Sequence, residues 1–99
     1  MDITLQYFDG CPNWKITDAR LIALTDEHPE MLIRRQLVDT VEASERVGFG
    51  GSPSILINDI DPFPRAGESG GLSCRRYLTP DGYAGAPTVE QLKTALHVA

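Results

Sequence analysis

The sequence has few basic residues, few cysteines and no long hydrophobic run, and each shortage excludes a class of protein. Its 14 acidic residues outnumber the 9 basic ones, and a net charge of −5 argues against binding to nucleic-acid phosphates. No segment approaches the roughly 20 consecutive apolar residues of a membrane-spanning helix. The two cysteines, Cys11 and Cys74, fit thiols or a transient pair in a reducing compartment better than a structural staple. We therefore expect neither a nucleic-acid partner nor a membrane partner.

Targeting signals and cofactor motifs are also missing. Met1-Asp2-Ile3-Thr4 has neither a basic n-region nor an apolar h-region, so we predict no signal peptide and a cytoplasmic location. The glycines at 67, 70 and 71 match no phosphate-binding pattern, and we predict no cofactor and no metal centre of paired ligands. A length of 99 residues, 41% of them hydrophobic, predicts one globular domain over residues 1–99.

The alternation of apolar, polar and turn-forming residues predicts the element order β-α-β-α-β-β-α. Ile3, Leu5 and Tyr7 alternate with polar residues, as in a strand. Thr88, followed three residues later by Gln91, forms the capping box of a final helix. Strands are predicted at 3–8, 31–38, 54–57 and 73–78, and helices at 13–25, at 41–47 and after Thr88.

These elements predict an α/β fold with a four-stranded mixed sheet and helices on both faces. The first two strands are joined through a helix and should be parallel, whereas the last two should pair as a hairpin widened by the loop at 58–72. Arg34 and Arg35 are adjacent in the second strand, which favours an edge position for it. The buried face of the first helix is predicted to contain Ile16, Ala19, Ile22 and Ala23, widened by Leu21 and Leu24.

Three segments of this sequence resemble a known family. The run from Phe8 to Trp14 (Phe-Asp-Gly-Cys-Pro-Asn-Trp) after strand one, and Gly51-Ser52-Pro53 before strand three, resemble the thioredoxin-like superfamily. With the run from Gly71 to Tyr77, the chain looks like small bacterial thioredoxin-domain proteins, some of which are labelled alkylmercury lyase. The resemblance covers nearly the whole chain and implies a thioredoxin-like fold.

The resemblance also implies roles for individual residues. Cys11 matches the family's attacking cysteine, and Pro53 matches a cis-proline that lies against the active-site sulfur. A cis bond would turn the backbone of Ser52 toward Cys11, able to bind an incoming peptide or a thiol adduct. Pro12 and Trp14 complete the predicted binding residues. Trp14, however, stands where the family usually has its resolving cysteine, so dithiol exchange within the motif is impossible.

The residues themselves favour a reactive thiol at Cys11. Unpaired N–H groups and the positive end of the dipole at a helix start stabilise a thiolate, which is the nucleophilic form of cysteine. The charge of Asp9 would oppose this effect. The alternative is a buried cysteine that fills space as a small apolar side chain.

Two interpretations of Cys74 are open. It either replaces the missing resolving cysteine, if the loop before it folds toward Cys11, or it is a half-buried strand residue. In a strand only Arg76 shares its face, so neither Arg75 nor Arg76 clearly activates it. Trp14 is similarly open between a core residue and a lid over the thiol.

Three functions follow from this pattern. The leading hypothesis is a thiol–disulfide oxidoreductase in which Cys11, with Cys74 or an external thiol, exchanges disulfides with a protein or a low-molecular-weight thiol. The second is a module that captures a soft metal or an organomercurial through both cysteines. The third is a binding module without turnover.

Overall fold

A computed structural model describes residues 1–63 and 72–98. Within them the chain forms β1 (Asp2–Tyr7), α1 (Trp14–Glu27), β2 (Leu32–Leu37), α2 (Val41–Val47), β3 (Ser54–Ile57), β4 (Tyr77–Thr79), β5 (Gly82–Ala84) and α3 (Val89–Leu96). The predicted bounds of α2 and β3 are confirmed, and those of β1, α1 and β2 are confirmed to within two residues. The glycines at 67, 70 and 71, and most of the predicted loop at 58–72, lie outside the described residues.

The main sheet has three strands in the order β2-β1-β3. The central strand β1 is parallel to β2, as predicted, and antiparallel to β3. The edge position of β2 is confirmed, and it explains how the strand carries Arg34 and Arg35, which are both exposed. The Arg35 side chain reaches α1, where its Nε donates to Asp18 Oδ1 at 2.6 Å.

The predicted four-stranded sheet is wrong, and with it the thioredoxin-like fold that we expected. The predicted strand at 73–78 does not pair with β3; its last residues, in β4, pair with β5 in a separate two-stranded sheet. A two-residue turn makes this local pairing easy, because Thr79 lies opposite Gly82 and the Thr79 hydroxyl donates to the Gly82 carbonyl. Closing so short a loop costs less entropy than pairing with distant β3.

The hydrophobic core lies between the sheet and two helices. It contains residues from β1 and β3, from α1 and α3, and the residue just before β2: Ile3, Leu5, Leu21, Leu24, Met31, Ile55, Leu92 and Leu96. Full burial of each leucine or isoleucine stabilises the fold by roughly 1.5–3 kcal/mol. Leu92 and Leu96 are the buried residues of α3 and lie four positions apart on one face of the helix.

The face predicted for α1 is confirmed for Leu21 and Leu24 and wrong for Ile16, Ala19, Ile22 and Ala23, which are all exposed. The buried residues of this helix are Thr17, Leu21 and Leu24, whereas Ile16 and Ile22 are 47% and 42% exposed. Positions 17, 21 and 24 lie on one face of the helix. The apolar pattern does not identify this face, because Thr17 is polar. Pro12 lies outside the helix, directly before its N-cap residue Asn13.

The ends of the other two helices follow their sequence signals. The capping box is confirmed, because the Thr88 hydroxyl accepts from the Gln91 N–H and the Gln91 side chain accepts from the Thr88 N–H. Helix α2 ends at Gly48, whose φ of 63° is the left-handed conformation that glycine adopts at little cost. Among the residues that the structure describes, no helix is both long and apolar enough to cross a membrane.

Candidate functional site

The two cysteines form a disulfide bond across the fold. Cys11 follows β1 and Cys74 precedes β4, and their Cα atoms are 5.6 Å apart although 63 positions separate them in sequence. The sequence left open whether the two sulfurs approach each other, and the structure brings them together. The chain therefore carries a sulfur pair that can in principle exist as a disulfide or as two thiols.

A tight turn after β1 buries Cys11. The Cys11 N–H donates to the Phe8 carbonyl at 3.0 Å, which closes the turn through Asp9 and Gly10. The Phe8 ring lies so close to Gly10 that a Cβ at this position would overlap it. Glycine thus allows the turn to be compact, and Cys11 beneath it is 0% exposed.

The loop before β3 lies directly against Cys11. The Ser52–Pro53 peptide bond is cis, which confirms what the resemblance implied. The Ser52 hydroxyl accepts from the Phe8 N–H at 3.0 Å and so ties this loop to the end of β1. The Ser52 carbonyl oxygen is 3.7 Å from Cys11 Sγ. Ser52 and Pro53 are both buried, and the Ser52 backbone lies against the Cys11 sulfur.

The backbone of Ser52 also holds Cys74 in place. The Ser52 N–H donates to the Ser73 carbonyl at 2.8 Å, and the Arg75 N–H donates to the Ser52 carbonyl at 2.9 Å. These two bonds form a parallel bridge between Ser52 and Cys74. We expected the backbone of Ser52 to be open to an incoming peptide. That expectation is wrong for the disulfide form, because the chain's own segment 73–75 occupies both groups.

A buried arginine anchors the Cys74 segment. Arg75 is 0% exposed, and its guanidinium donates to both carboxylate oxygens of Asp61, at 2.6 and 3.3 Å. It also donates to the Phe63 carbonyl at 3.0 Å and lies 4.6 Å from the centre of the Tyr77 ring. A buried charge is tolerated when it is paired and hydrogen-bonded in this way.

Sequence reasoning missed the anchoring role of Arg75. We treated Arg75 as a strand residue beside Cys74, and nothing in the sequence distinguished Asp61 from the other acids of the loop at 58–72 as its partner. Gly51 completes the packing, because a Cβ there would lie 3.0 Å from the Arg75 Cβ. Arg76 is exposed and lies over the Tyr83 ring.

The remaining predicted binding residues lie beside Cys11. Trp14 begins α1, is partly buried against the core, and stacks on Tyr7 with ring centres 4.3 Å apart. The structure therefore favours the interpretation of Trp14 as a core residue over that of a lid on the thiol. Pro12 is exposed next to Cys11.

The two cysteine residues differ in their exposure to solvent. Cys11 is fully buried, whereas Cys74 is exposed. A separate groove of about 340 Å³ is lined by Phe63, Pro80 and Gln91 among others, and neither cysteine lines it. Within residues 1–63 and 72–98, no group of three or more His, Cys, Asp or Glu side chains could hold a metal ion.

No protein-family model, no curated protein and no solved structure matches this chain. These comparisons leave the resemblance untested, and the four-stranded sheet that it implied is not formed by the residues that the structure describes.

Proposed function

We propose that this protein is a thiol–disulfide oxidoreductase whose redox centre is the Cys11–Cys74 pair. The observation that carries the proposal is the bond between these two cysteines, one buried and one exposed, in a chain with no other cysteine. An exposed disulfide sulfur is open to attack by a thiolate, and its buried partner remains in place to reform the bond.

In this proposal Cys74 supplies the second sulfur that the motif around Cys11 lacks. Trp14 occupies the position from which a neighbouring cysteine could resolve a mixed disulfide, and it packs, partly buried, against the core. The segment 73–75 is held at Ser52 by two backbone hydrogen bonds, so the second sulfur arrives from a distant part of the chain. The pair itself carries two electrons, and no cofactor is needed.

The proposed substrates are thiols or disulfides, either of a protein or of low molecular weight. We place the activity in the cytoplasm, as predicted from the sequence. Disulfides in that compartment are usually transient and serve catalysis or redox sensing, because cellular thiols keep cysteines reduced. A protein pair that opens and closes there would meet its reductant continuously.

The first test is a count of free thiols by mass shift after alkylation, in mild oxidant and in reductant. The proposal expects no free thiols in oxidant and two in reductant, with no change in chain number on a nonreducing gel. A redox titration against glutathione should then give one two-electron transition. A pair that resists reduction by glutathione while the chain is folded would identify a structural disulfide and contradict the proposal.

The second test is turnover, with bis(2-hydroxyethyl) disulfide as substrate and glutathione as reductant. Wild type should accelerate the reaction, and the matched variants Cys11→Ser and Cys74→Ser should each remove the two-cysteine cycle. Wild-type rates equal to those of the double variant Cys11→Ser/Cys74→Ser would contradict an enzyme. A binding module without turnover, the third hypothesis from the sequence, would then be the preferred function.

The proximity of the sulfurs also favours capture of a soft metal as a second candidate. Two thiolates suit a soft, low-coordinate ion such as Hg²⁺, although no further ligand cluster is present among the described residues. Native mass spectrometry of the reduced protein with one equivalent of HgCl₂ should detect a one-to-one complex that needs both cysteines. Binding that persists in either single variant would contradict capture by the pair.

A further inference from the structure

We infer that the exchange runs through Cys74, so that an external thiol attacks the Cys74 sulfur and Cys11 is the buried resolving cysteine. This inference rests on the proposed function and reverses the roles that the sequence implied, in which Cys11 attacks. It follows from which sulfur can be reached and from what surrounds the other.

Burial prevents direct attack at Cys11. The residue is 0% exposed, enclosed by the turn from Phe8 and by Ser52, whose carbonyl oxygen is 3.7 Å from Cys11 Sγ. A thiolate must touch the sulfur that it attacks, so contact with Cys11 requires this part of the fold to open. Cys74 is exposed and requires no such opening.

The backbone around the pair favours the same direction. Both backbone groups of Ser52 that face the site are hydrogen-bonded to Ser73 and Arg75. An incoming molecule in the disulfide state finds the exposed side of Cys74 and no unoccupied Ser52 backbone on which to form a strand. The opening step therefore suits a small thiol that needs only the sulfur.

The chemistry balances in two exchanges. A thiolate RS⁻ attacks Cys74 Sγ, an R–S–Sγ bond forms, the Sγ–Sγ bond breaks, and the electron pair leaves on Cys11 Sγ, which takes up a proton. A second thiolate attacks the sulfur of R, releases RSSR, and leaves Cys74 as a thiolate that is protonated in turn. Two external thiols are oxidised to one disulfide, and the protein gains two electrons and two protons.

The reverse direction assigns the same roles. In the reduced protein, the Cys74 thiolate attacks a substrate disulfide, whose S–S bond breaks; one half leaves as a thiolate that takes up a proton, and the other half stays on Cys74 as a mixed disulfide. Cys11 then attacks Cys74 Sγ, reforms the internal bond and expels the substrate thiol. Because Cys11 stays beside the Ser52 loop, it is positioned to attack its internal partner.

The decisive experiment uses oxidised wild type, so it does not depend on the folding of a variant. The protein is mixed briefly with glutathione, free thiols are blocked at acidic pH, and tryptic peptides are mapped. Cleavage after Lys15, Arg65 and Arg75 places Cys11 in peptide 1–15 and Cys74 in peptide 66–75. We expect glutathione on peptide 66–75 and the blocking group on peptide 1–15. Glutathione on peptide 1–15, on both peptides equally, or on neither would overturn the inference.

The matched single-cysteine variants give a second readout. In Cys11→Ser the remaining thiol is exposed, and it should react with an aromatic disulfide at the rate of a free thiol. In Cys74→Ser the remaining thiol is buried, and reaction should be about a hundredfold slower or more under native conditions. In roughly 6 M guanidinium chloride, which unfolds a domain of this size, both thiols are exposed and the two reaction rates should converge. A faster native reaction at Cys11 would contradict the assignment.

Failure of the inference and failure of the proposed function look different. If wild type turns over but carries its adduct on Cys11, the oxidoreductase proposal stands and the direction is wrong. If the adduct forms on Cys74 but wild type shows no turnover, the direction stands and the proposed function is wrong.

Discussion

Loss of the Cys11–Cys74 bond should lower the free energy of unfolding by about 4 kcal/mol. The bond joins residues 63 positions apart, so it closes a loop that contains most of the chain. In the chain-entropy description, a closed loop of this length lowers the conformational entropy of the unfolded chain enough to account for about 4 kcal/mol of stability. The total stability of a small domain is only about 5–15 kcal/mol, so the bond should be a large part of it. The melting temperature should fall by roughly 15–30 °C.

Urea unfolding followed by far-ultraviolet circular dichroism measures the effect. Oxidised wild type is compared with wild type in a phosphine reductant and with Cys74→Ser. The reduced wild type and the variant should unfold at similar urea concentrations, well below the oxidised protein. The reductant should leave Cys74→Ser unchanged, which controls for effects other than opening of the disulfide. The slope should be smaller for the oxidised protein, because its unfolded chain exposes less surface.

A gap below about 1 kcal/mol between oxidised and reduced protein would refute this reasoning. It would mean that the unfolded chain loses little entropy on cross-linking or already holds its two halves together without the bond. A gap of the expected size would also have a functional meaning, because reduction of the pair would then bring the fold closer to unfolding.

Three further variants test the packing around the site. Asp61→Ala strands the buried charge of Arg75 and should cost about 3–5 kcal/mol in urea unfolding, most of which a second change, Arg75→Met, should restore. Gly51→Ala places a Cβ against Arg75 at a φ of 102° and should cost on the order of 2 kcal/mol, more than Gly48→Ala, which meets open space; equal costs would argue against the contact. Thr17→Val removes a buried hydroxyl that has no hydrogen-bond partner within the described residues, and it should raise the melting temperature through about 1 kcal/mol of added stability; a loss would mean that the hydroxyl is satisfied.

The parts of the fold that could be predicted from sequence are those set by local signals. The alternation in β1, the glycine after α2 and the capping box at Thr88 each depend on residues close together in the chain. The buried face of α1 was predicted only for Leu21 and Leu24, because its third residue, Thr17, is polar and does not follow the apolar pattern. The prediction of a strand over 73–78 was wrong for a different reason. The Arg75 side chain turns inward to meet Asp61, and no local sequence pattern encodes this contact.

The candidate site was predictable only in part. Cys11, Ser52 and the cis bond at Pro53 were identified from short motifs, and the structure places them together. The approach of Cys74 depends on a long-range bridge to Ser52, so sequence could only state it as one of two alternatives. Exposure of each cysteine depends on the packing of distant segments, which short motifs do not encode, so the sequence offered no means of ranking Cys11 and Cys74 by access to solvent.

The arginines of edge strand β2 also bear on how copies of this protein meet one another. Two copies joined edge to edge through β2, in a symmetrical antiparallel register over Leu32–Leu37, would set each Arg34 opposite an Arg35 of the other copy. Like charges directly opposite one another weaken a strand pair. Asp18 forms an ion pair with Arg35 and compensates its charge, but it does not compensate the charge of Arg34. The open edge is thus protected against growth of the sheet from one molecule into the next, as charged edges limit aggregation in other β-sheets.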